Sequence, residues 1–553
     1  MSTEATPLVF KFATEDWEFE QIHRLNYRTF VEEIPQHQAS PTHRLVDKFH
    51  AENTYLICLC DQKIVGMLAA RGNRPFSLDH KVPDLDKHLP AGRTICEIRL
   101  LAIDKKYRGA RGGQILSGIL ALLWQHGVEK GYDLAVISGT MRQLKLYQHL
   151  GFVPFGPVVG TGEAQFQPMF VTLETFETTA REFLRNSPAK SFQPSAVNFL
   201  PGPVAVRREV RRAFEQAPES HRSESFTADF GATRKLLCEL TNAAHVQLMM
   251  GSGTLANDAI AAQLSQITGH GVVLSNGEFG NRLIDAARRS DLRFETLSFP
   301  WGESIDLVML RQKLGRIPAP AWLWCVHCET STGVVNDIEL LGQMCCEHGV
   351  KLCVDAISSI GTMDVDLSGV HLASCASGKG LRSYPGLAMV FHNHDIKPDG
   401  DRLPRYLDIG YYAEQGGIPF TFSSNLLHAL HAALRRVNWQ KRFTETVETS
   451  AWLRMKLAEM GFDLVGTDAL NSPAAITIEL PSDVKSVEFG KLMQESGFLL
   501  SCHSEYLRRR NWIQICLMGE IPQEKVTALV NALRRMWQKR ARGETVVLGS
   551  VKT

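Results

Sequence analysis

The chain has 553 residues, 60 Lys and Arg against 59 Asp and Glu, and a formal net charge of +1. With 44% hydrophobic and 22% charged residues it has the make-up of a soluble globular protein, too long for one core, so about two to four domains are expected. Near-zero charge excludes a nucleic-acid binder held by bulk charge, and no apolar run reaches the length that spans a bilayer. The opening Met-Ser-Thr-Glu-Ala-Thr reads as neither a signal nor a transit peptide. Several of the cysteines (Cys58, Cys60, Cys325, Cys353) lie inside apolar strand-like runs, which reads as reduced thiols in a cytoplasmic protein. Cys325-Val-His-Cys328 has the spacing of a metal knuckle, but no second pair stands near it, and no metal site is assigned.

In chain order, Asp16 to Glu32 has apolar residues at helical spacing. Thr54–Cys60, a two-residue turn Asp61-Gln62 and Lys63–Arg71 predict a β-hairpin. Ile95–Asp104 reads as a strand that runs into Lys105-Lys-Tyr-Arg-Gly-Ala-Arg-Gly-Gly113 and then an apolar helix from Gln114 to Lys130. Strand, basic glycine loop and helix form a phosphate-binding arrangement: glycines let backbone N–H groups approach an anion, and the helix start adds a favourable dipole. Leu134–Ser138 is a further strand, followed by Leu146-Tyr-Gln-His-Leu-Gly-Phe152. A polar, proline-bearing stretch ending in Asn-Ser-Pro-Ala-Lys-Ser-Phe-Gln-Pro194 marks the boundary of a first domain, residues 1–185.

This order resembles the GNAT acyltransferase family. The resemblance implies that Arg108, Gly109, Gly112 and Gly113 bind the pyrophosphate of an acyl carrier, and that Tyr147 is a candidate acid near the leaving thiolate. Arg111 stands where the family has its first loop glycine, a departure that bears on carrier affinity. Arg24-Leu-Asn-Tyr-Arg-Thr-Phe-Val31, Asp47-Lys-Phe-His50 and Glu97-Ile-Arg-Leu-Leu-Ala-Ile103 are similar to acyl-homoserine-lactone synthases and N-acyl amino acid synthases, relatives that accept acyl groups from acyl carrier protein as well as coenzyme A. Glu97 is a general-base candidate, with a structural strand carboxylate as the alternative.

Past the boundary, Asn198-Phe-Leu-Pro-Gly-Pro-Val is an extended entry, followed by an amphipathic helix and His221-Arg222-Ser223. Val246–Met250 is a short strand that opens onto Gly251-Ser-Gly-Thr254 and a small-residue helix, a second cradle for a phosphate. Strand and helix patterns alternate to about residue 393, predicting an α/β doubly wound sheet with ligands at the carboxyl ends of its strands. A strand ends in an acid at Lys351-Leu-Cys-Val-Asp355, and Lys379 sits between two glycines in a small-residue loop. A lysine amine condenses with an aldehyde as a Schiff base, and a carboxylate beside a pyridine nitrogen keeps that ring an electron acceptor.

Pro-Gly-Pro203, His-Arg-Ser223, Gly-Ser-Gly-Thr254, His-Cys-Glu-Thr-Ser-Thr-Gly333, Val-Asp-Ala356 and Lys379 followed by Pro-Gly-Leu-Ala388 together resemble the class V aminotransferases of pyridoxal-phosphate (PLP) fold type I. That family implies a large domain over 186–440 and a small carboxyl-terminal domain over 441–553. It implies that Lys379 carries the cofactor and moves the substrate proton, Asp355 pairs with the pyridinium, Phe279 stacks on the ring and Thr330 bonds its phenolic oxygen. Ser252, Gly253, Thr254 and Ser377 would hold the phosphate, and Thr421 would reach the neighbouring subunit's phosphate site in a homodimer. Gln514, in Trp512-Ile-Gln-Ile-Cys-Leu-Met-Gly519, stands where the family has a carboxylate-binding arginine, a loss of about 1.5–3 kcal/mol if uncompensated. Arg508, Arg509 and Arg510 are possible replacements; Arg222 and Gln514 are the substrate-binding candidates.

The sequence thus predicts a cytoplasmic, bifunctional enzyme. One part transaminates a 2-aminoethylphosphonate- or alanine-like compound with a 2-oxo acid, and the other transfers an acyl group from coenzyme A or acyl carrier protein to nitrogen. A PLP lyase or decarboxylase, with the first part a carrier-sensing or bracing module, is the alternative.

Overall fold

The structure is a computed structural model that describes residues 7–34, 37–109, 111–160, 165–179, 196–317, 319–466 and 471–541. Two compact units emerge. One holds the described residues up to 179 together with the closing helix Gln523–Ala541, and the other holds residues 196–522. The expected boundary at 185/186 lies outside the described residues. Two helices bear on the small domain expected over 441–553. Residue 441 falls inside the helix Trp439–Glu459, and the helix Gln523–Ala541 belongs to the first unit, where it packs on Gly112–Lys130.

The first unit is built on a seven-stranded sheet in the order Leu8–Phe12, Thr54–Cys60, Lys63–Arg71, Ile95–Ile103, Leu134–Thr140, Phe166–Thr172, Val153–Pro154. Asp61 and Gln62 both have positive φ, 50° and 57°, as a two-residue turn matched to strand twist requires. Strand residues alternate between two cores. Leu56 and Cys58 join Ile115 and Ile119 of the helix Gly112–Lys130, whereas Tyr55 and Ile57 join Ile22 and Leu25 of Asp16–Tyr27. Ile95–Ile98 pair in parallel with Leu134–Ile137, and no pairing of these two strands continues beyond. There Leu100 takes a left-handed φ of 54° and the two strands part. A cavity of about 790 Å³ occupies the gap.

In the second unit a seven-stranded sheet runs Phe294–Ser298, His270–Ser275, Pro320–Val326, Lys351–Asp355, Leu372–Ala376, Gly386–His392, His245–Gly251. Only Gly386–His392 is antiparallel to its neighbours. On the strand Pro320–Val326, Trp322 and Trp324 are buried in one core and Leu323 and Cys325 in the other. Burial on both faces explains the unbroken apolar run. Residues 439–522 add helices and a three-stranded sheet of Asp463–Leu464, Ala475–Glu479 and Trp512–Cys516. The entry strand Val197–Asn198 pairs with Phe498–Leu499, tying the start of this unit to its end.

Four histidines gather beside the strands His245–Gly251 and Gly386–His392. The rings of His371 and His394 stack at 3.8 Å, and those of His245 and His392 at 5.0 Å. Burial lowers His371 to about 3 and His392 to about 4, and lowers His394 as well; neighbouring imidazoles and Lys351 add to the effect, while Asp395 opposes it at His394. The folded unit holds His371, His392 and His394 neutral, whereas the unfolded chain takes up protons below about pH 6.5. Stability is therefore full above that pH and is lost as the pH falls towards 4. Calorimetry is expected to show the melting temperature of this unit dropping between about pH 7 and 4.5, and His371→Leu to flatten the drop; an identical slope in the variant would exclude the stacked pair as the cause.

Candidate active site

A cavity of about 340 Å³ lies at the carboxyl ends of the second unit's parallel strands. Ser252, Gly253, Thr254, Phe279, Thr330, Asp355 and Lys379 all line it. Ser252 to Thr254 open the helix Gly253–Leu264, whose unpaired N–H groups face an anion favourably. Asp355 ends its strand 5% exposed. It accepts hydrogen bonds from Asn257 Nδ2 at 2.8 Å and from the Ile357 N–H at 3.0 Å. Asn257 is itself oriented by the Ser374 hydroxyl, which donates to its Oδ1 at 2.6 Å. Burial raises the Asp355 carboxyl above its ordinary value, against these hydrogen bonds and the Lys379 charge.

Lys379 Nζ donates to Ser358 Oγ at 2.9 Å, and the Ser358 and Thr330 hydroxyls meet at 2.5 Å. The amine lies 5.1 Å from the centroid of the Phe279 ring. Burial lowers its proton affinity, with Asp355 the largest opposing charge. A neutral amine is the form that attacks an aldehyde. Phe279 is fixed from behind by the fully buried Glu329, which accepts from the N–H groups of Phe279 at 3.3 Å and Gly280 at 3.0 Å and from Ser331 Oγ at 2.5 Å. The lysine loop leaves no room at its glycines. A Cβ on Gly380 would stand 2.3 Å from the Ile360 carbonyl, and one on Gly378 2.8 Å from Pro385.

This donor set fits pyridoxal phosphate: an amine whose proton affinity burial lowers, a strand-end carboxylate, an aromatic face and a helix start, all on one cavity. Asn257, Ser358 and Glu329, which contact Asp355, Lys379 and the Phe279 backbone, are members of the site that sequence reasoning missed. Their only local signal is their place beside motif residues.

Other expected contributors stand elsewhere. The fully buried Ser377 hydroxyl donates to the Tyr384 carbonyl at 2.6 Å and accepts from the Leu387 N–H at 3.2 Å, bracing the lysine loop from outside the cavity wall. Thr421 and Arg222 are exposed and do not line the cavity. Arg509 pairs with Glu505, and Arg510 stacks over Trp301 at 3.9 Å; neither these nor Arg508 reach the wall. Gln514 is fully buried and off the wall. Its Nε2 donates to the carbonyls of Thr330 at 2.5 Å and Ser331 at 3.2 Å and to Thr477 Oγ1 at 2.9 Å, and its Oε1 accepts from the Tyr506 hydroxyl at 2.9 Å. With its amide so occupied, Gln514 is a brace and not a substrate contact. Gln514→Arg is expected to bury an unmatched charge and destabilise the unit by about 3 kcal/mol, read by urea unfolding. Wild-type stability with a gain of turnover on L-alanine would reverse this assignment.

In the first unit, Tyr147, Glu97 and Arg108 line the 790 Å³ cavity. The Tyr147 hydroxyl donates to Gln143 Oε1 at 3.1 Å, and burial pushes its pKa up, so it carries a proton at neutral pH. Glu97, 1% exposed, accepts from the N–H groups of Ser77 at 3.0 Å and Leu78 at 3.3 Å and from the Ser77 hydroxyl. Those bonds are the bonds of a structural carboxylate. Arg108 turns to Glu33 at 2.6 Å and the Ile103 carbonyl at 2.8 Å. A Cβ on Gly109 or Gly113 would meet nothing within 4 Å, and one on Gly112 would stand 3.4 Å from the Tyr107 carbonyl, so packing does not demand these glycines.

Known proteins divide the chain in the same place. The aminotransferase class-V family model matches residues 211–399, and that of the N-acyl amino acid synthase FeeM matches residues 21–170. The 2-aminoethylphosphonate–pyruvate transaminase of Pseudomonas aeruginosa is 26% identical over 61% of this chain and 95% of its own. The soluble hydrogenase 42 kDa subunit of Anabaena cylindrica is 30% identical over 51% of this chain and 78% of its own. One longer curated relative is matched over 42% of its length. Among solved structures, the alanine–glyoxylate aminotransferase of Nostoc sp. superposes with a TM-score of 0.57 at 28% identity, covering 62% of this chain and 96% of that one. With Lys379 and Asp355 facing one cavity in a sheet of this order, the chain belongs to the class V aminotransferases, PLP-dependent enzymes, and carries an N-acyl amino acid synthase domain ahead of that fold.

Proposed function

We propose that the second unit moves an amino group from a small amino compound, of the 2-aminoethylphosphonate or alanine kind, to a 2-oxo acid, and that the first unit acylates an amine with a thioester of coenzyme A or acyl carrier protein. The observation that carries the reading is the meeting of Lys379, Asp355 and Phe279 on one cavity wall. PLP supplies an electron sink for the carbanion formed at the amine carbon. Lys379, its proton affinity lowered by burial, takes the proton at that carbon and returns it; Ser358 and Thr330 keep its Nζ aimed. Asp355, held by Asn257, answers the charge of the ring nitrogen. In the first unit Tyr147 gives its proton to the departing thiolate.

Twelve unpaired cysteines support a reducing, cytoplasmic setting, and no helix among the described residues is long and apolar enough to cross a membrane. The reading includes a homodimer, in which the exposed Thr421 would reach the neighbouring subunit's phosphate site. Joining both activities on one chain would raise the local concentration of a shared amine if the two sites face each other.

Mass spectrometry of the PLP-loaded protein, given a panel of amino compounds with pyruvate and a panel of acyl thioesters, tests both halves. Amino transfer is expected in the wild type and not in Lys379→Ala. N-acylation is expected to survive that substitution and to fall about 100-fold in Tyr147→Phe. Decarboxylation or elimination without a pyridoxamine form would replace the first half with a lyase, and no acylated product from any thioester would remove the second.

A further inference from the structure

The loop that carries Lys379 is gripped from outside the cavity by two arginines. Arg442, near the start of the helix Trp439–Glu459, is 9% exposed and donates through Nη2 to the carbonyl of Gly380, the residue after the lysine. Arg382, three residues after the lysine, donates through Nε to the Met518 carbonyl at 3.1 Å and through Nη1 to Glu520 at 2.8 Å. Its N–H closes a turn on the Lys379 carbonyl at 2.8 Å. Neither arginine lines the cavity, and neither do Met518 and Glu520.

Two features set this grip apart from ordinary packing. Arg382 has a φ of 54°, in the left-handed region where a side chain is strained and glycine is not. A strained residue persists where its side chain is needed, and this one has two anchors on the segment after the strand Trp512–Cys516. Then there is charge. Arg382 and Arg207 both bear on Arg442, and Arg207 bears on Arg382, with Glu520 as the opposing charge shared by Arg382 and Arg442 and Glu445 assisting at Arg382. Arg207 is turned to the carbonyls of Ala432 and Ala433 at 3.4 and 3.1 Å, and Arg442 Nε has no hydrogen-bond partner. Glu520 is thus the counter-charge that lets two guanidinium groups approach one loop.

We propose that Arg382 and Arg442, balanced by Glu520, are positioning residues that hold the Lys379 loop to the carboxyl-terminal segments of the unit and thereby set the proton affinity of the lysine nitrogen. The inference rests on Lys379 carrying the cofactor. Lys379 owes its lowered proton affinity chiefly to burial, against the opposing influence of Asp355, Cys328, Cys516 and Glu329, the groups that face it. In the PLP-loaded protein the same nitrogen would be the imine joined to the cofactor aldehyde, in the same buried place; a slackened loop admits water to it, and its proton affinity rises.

The test is a pH titration of the visible absorbance of bound PLP in the full-length protein, with Arg382→Gly, Arg442→Gln, Arg442→Lys and Glu520→Gln. Arg382→Gly is the decisive variant, because it relieves the strained φ while it removes the grip. It is expected to melt within a few degrees of the wild type yet to move the absorbance midpoint upward by about half a pH unit or more. Arg442→Gln and Glu520→Gln are expected to shift the same way, and Arg442→Lys to recover most of the shift. A midpoint that stays put or moves down in Arg382→Gly would overturn the proposal, whatever happens to stability; so would equal shifts in Arg442→Gln and Arg442→Lys. If Arg442→Gln does not fold, Arg382→Gly and the partly exposed Glu520→Gln decide alone. No amino donor enters the titration, so a failed transamination assay and an unmoved midpoint are separate results.

Discussion

Removing water from an amine and an acid in the same cavity is the constraint on which the second unit depends. Burial drives Lys379 and Asp355 towards their neutral forms, and each keeps only short polar contacts, to Ser358 on one side and to Asn257 and the Ile357 N–H on the other. Such groups are costly unless matched. A ligand with a basic ring nitrogen and an aldehyde matches both, so cofactor binding and fold stability are linked. The surrounding polar residues follow from the same need. Ser374 aims Asn257, and Glu329 spends its acceptor oxygens on backbone N–H groups, keeping the aromatic face still.

The two units use sheets in different ways to make room. In the second, strands stay paired and the cavity sits beyond their ends, where loops carrying Gly253, Thr330, Asp355 and Lys379 converge. In the first, the cavity sits inside the sheet, because Ile95–Ile103 and Leu134–Thr140 stop pairing after Ile98 and Ile137. A gap between strands exposes backbone groups along its length and suits an extended ligand; a pocket past the strand ends suits a compact ring.

Much of this was legible in the sequence where the signal is local. The hairpin at Asp61-Gln62 follows from alternating runs around a turn pair, and the strand-end acid and loop lysine from apolar runs stopped by small residues. What was not legible depends on pairings across long stretches of chain. Gln514 looks like a vacant substrate contact until Thr330, Ser331, Thr477 and Tyr506 are seen to occupy it. Ser377 carries a hydroxyl in the right loop but turns it to Tyr384. Glu97 sits on the expected strand, yet the segment at Ser77 and Leu78, whose position no periodicity predicts, claims its oxygens. The amphipathic pattern of Gln523–Ala541 announces a buried face without saying which core receives it.

That last helix has a consequence for biosynthesis and for dissection of the protein. Val526, Leu529, Val530 and Leu533 are at most 2% exposed, and they complete a unit whose other described parts are encoded before residue 180. On the ribosome, the acyltransferase half emerges first but waits for the final helix before its surface is whole. The aminotransferase is, in effect, spliced into its neighbour. A cut made only between residues 179 and 196 would leave one half with a bare apolar face and the other trailing an orphan helix.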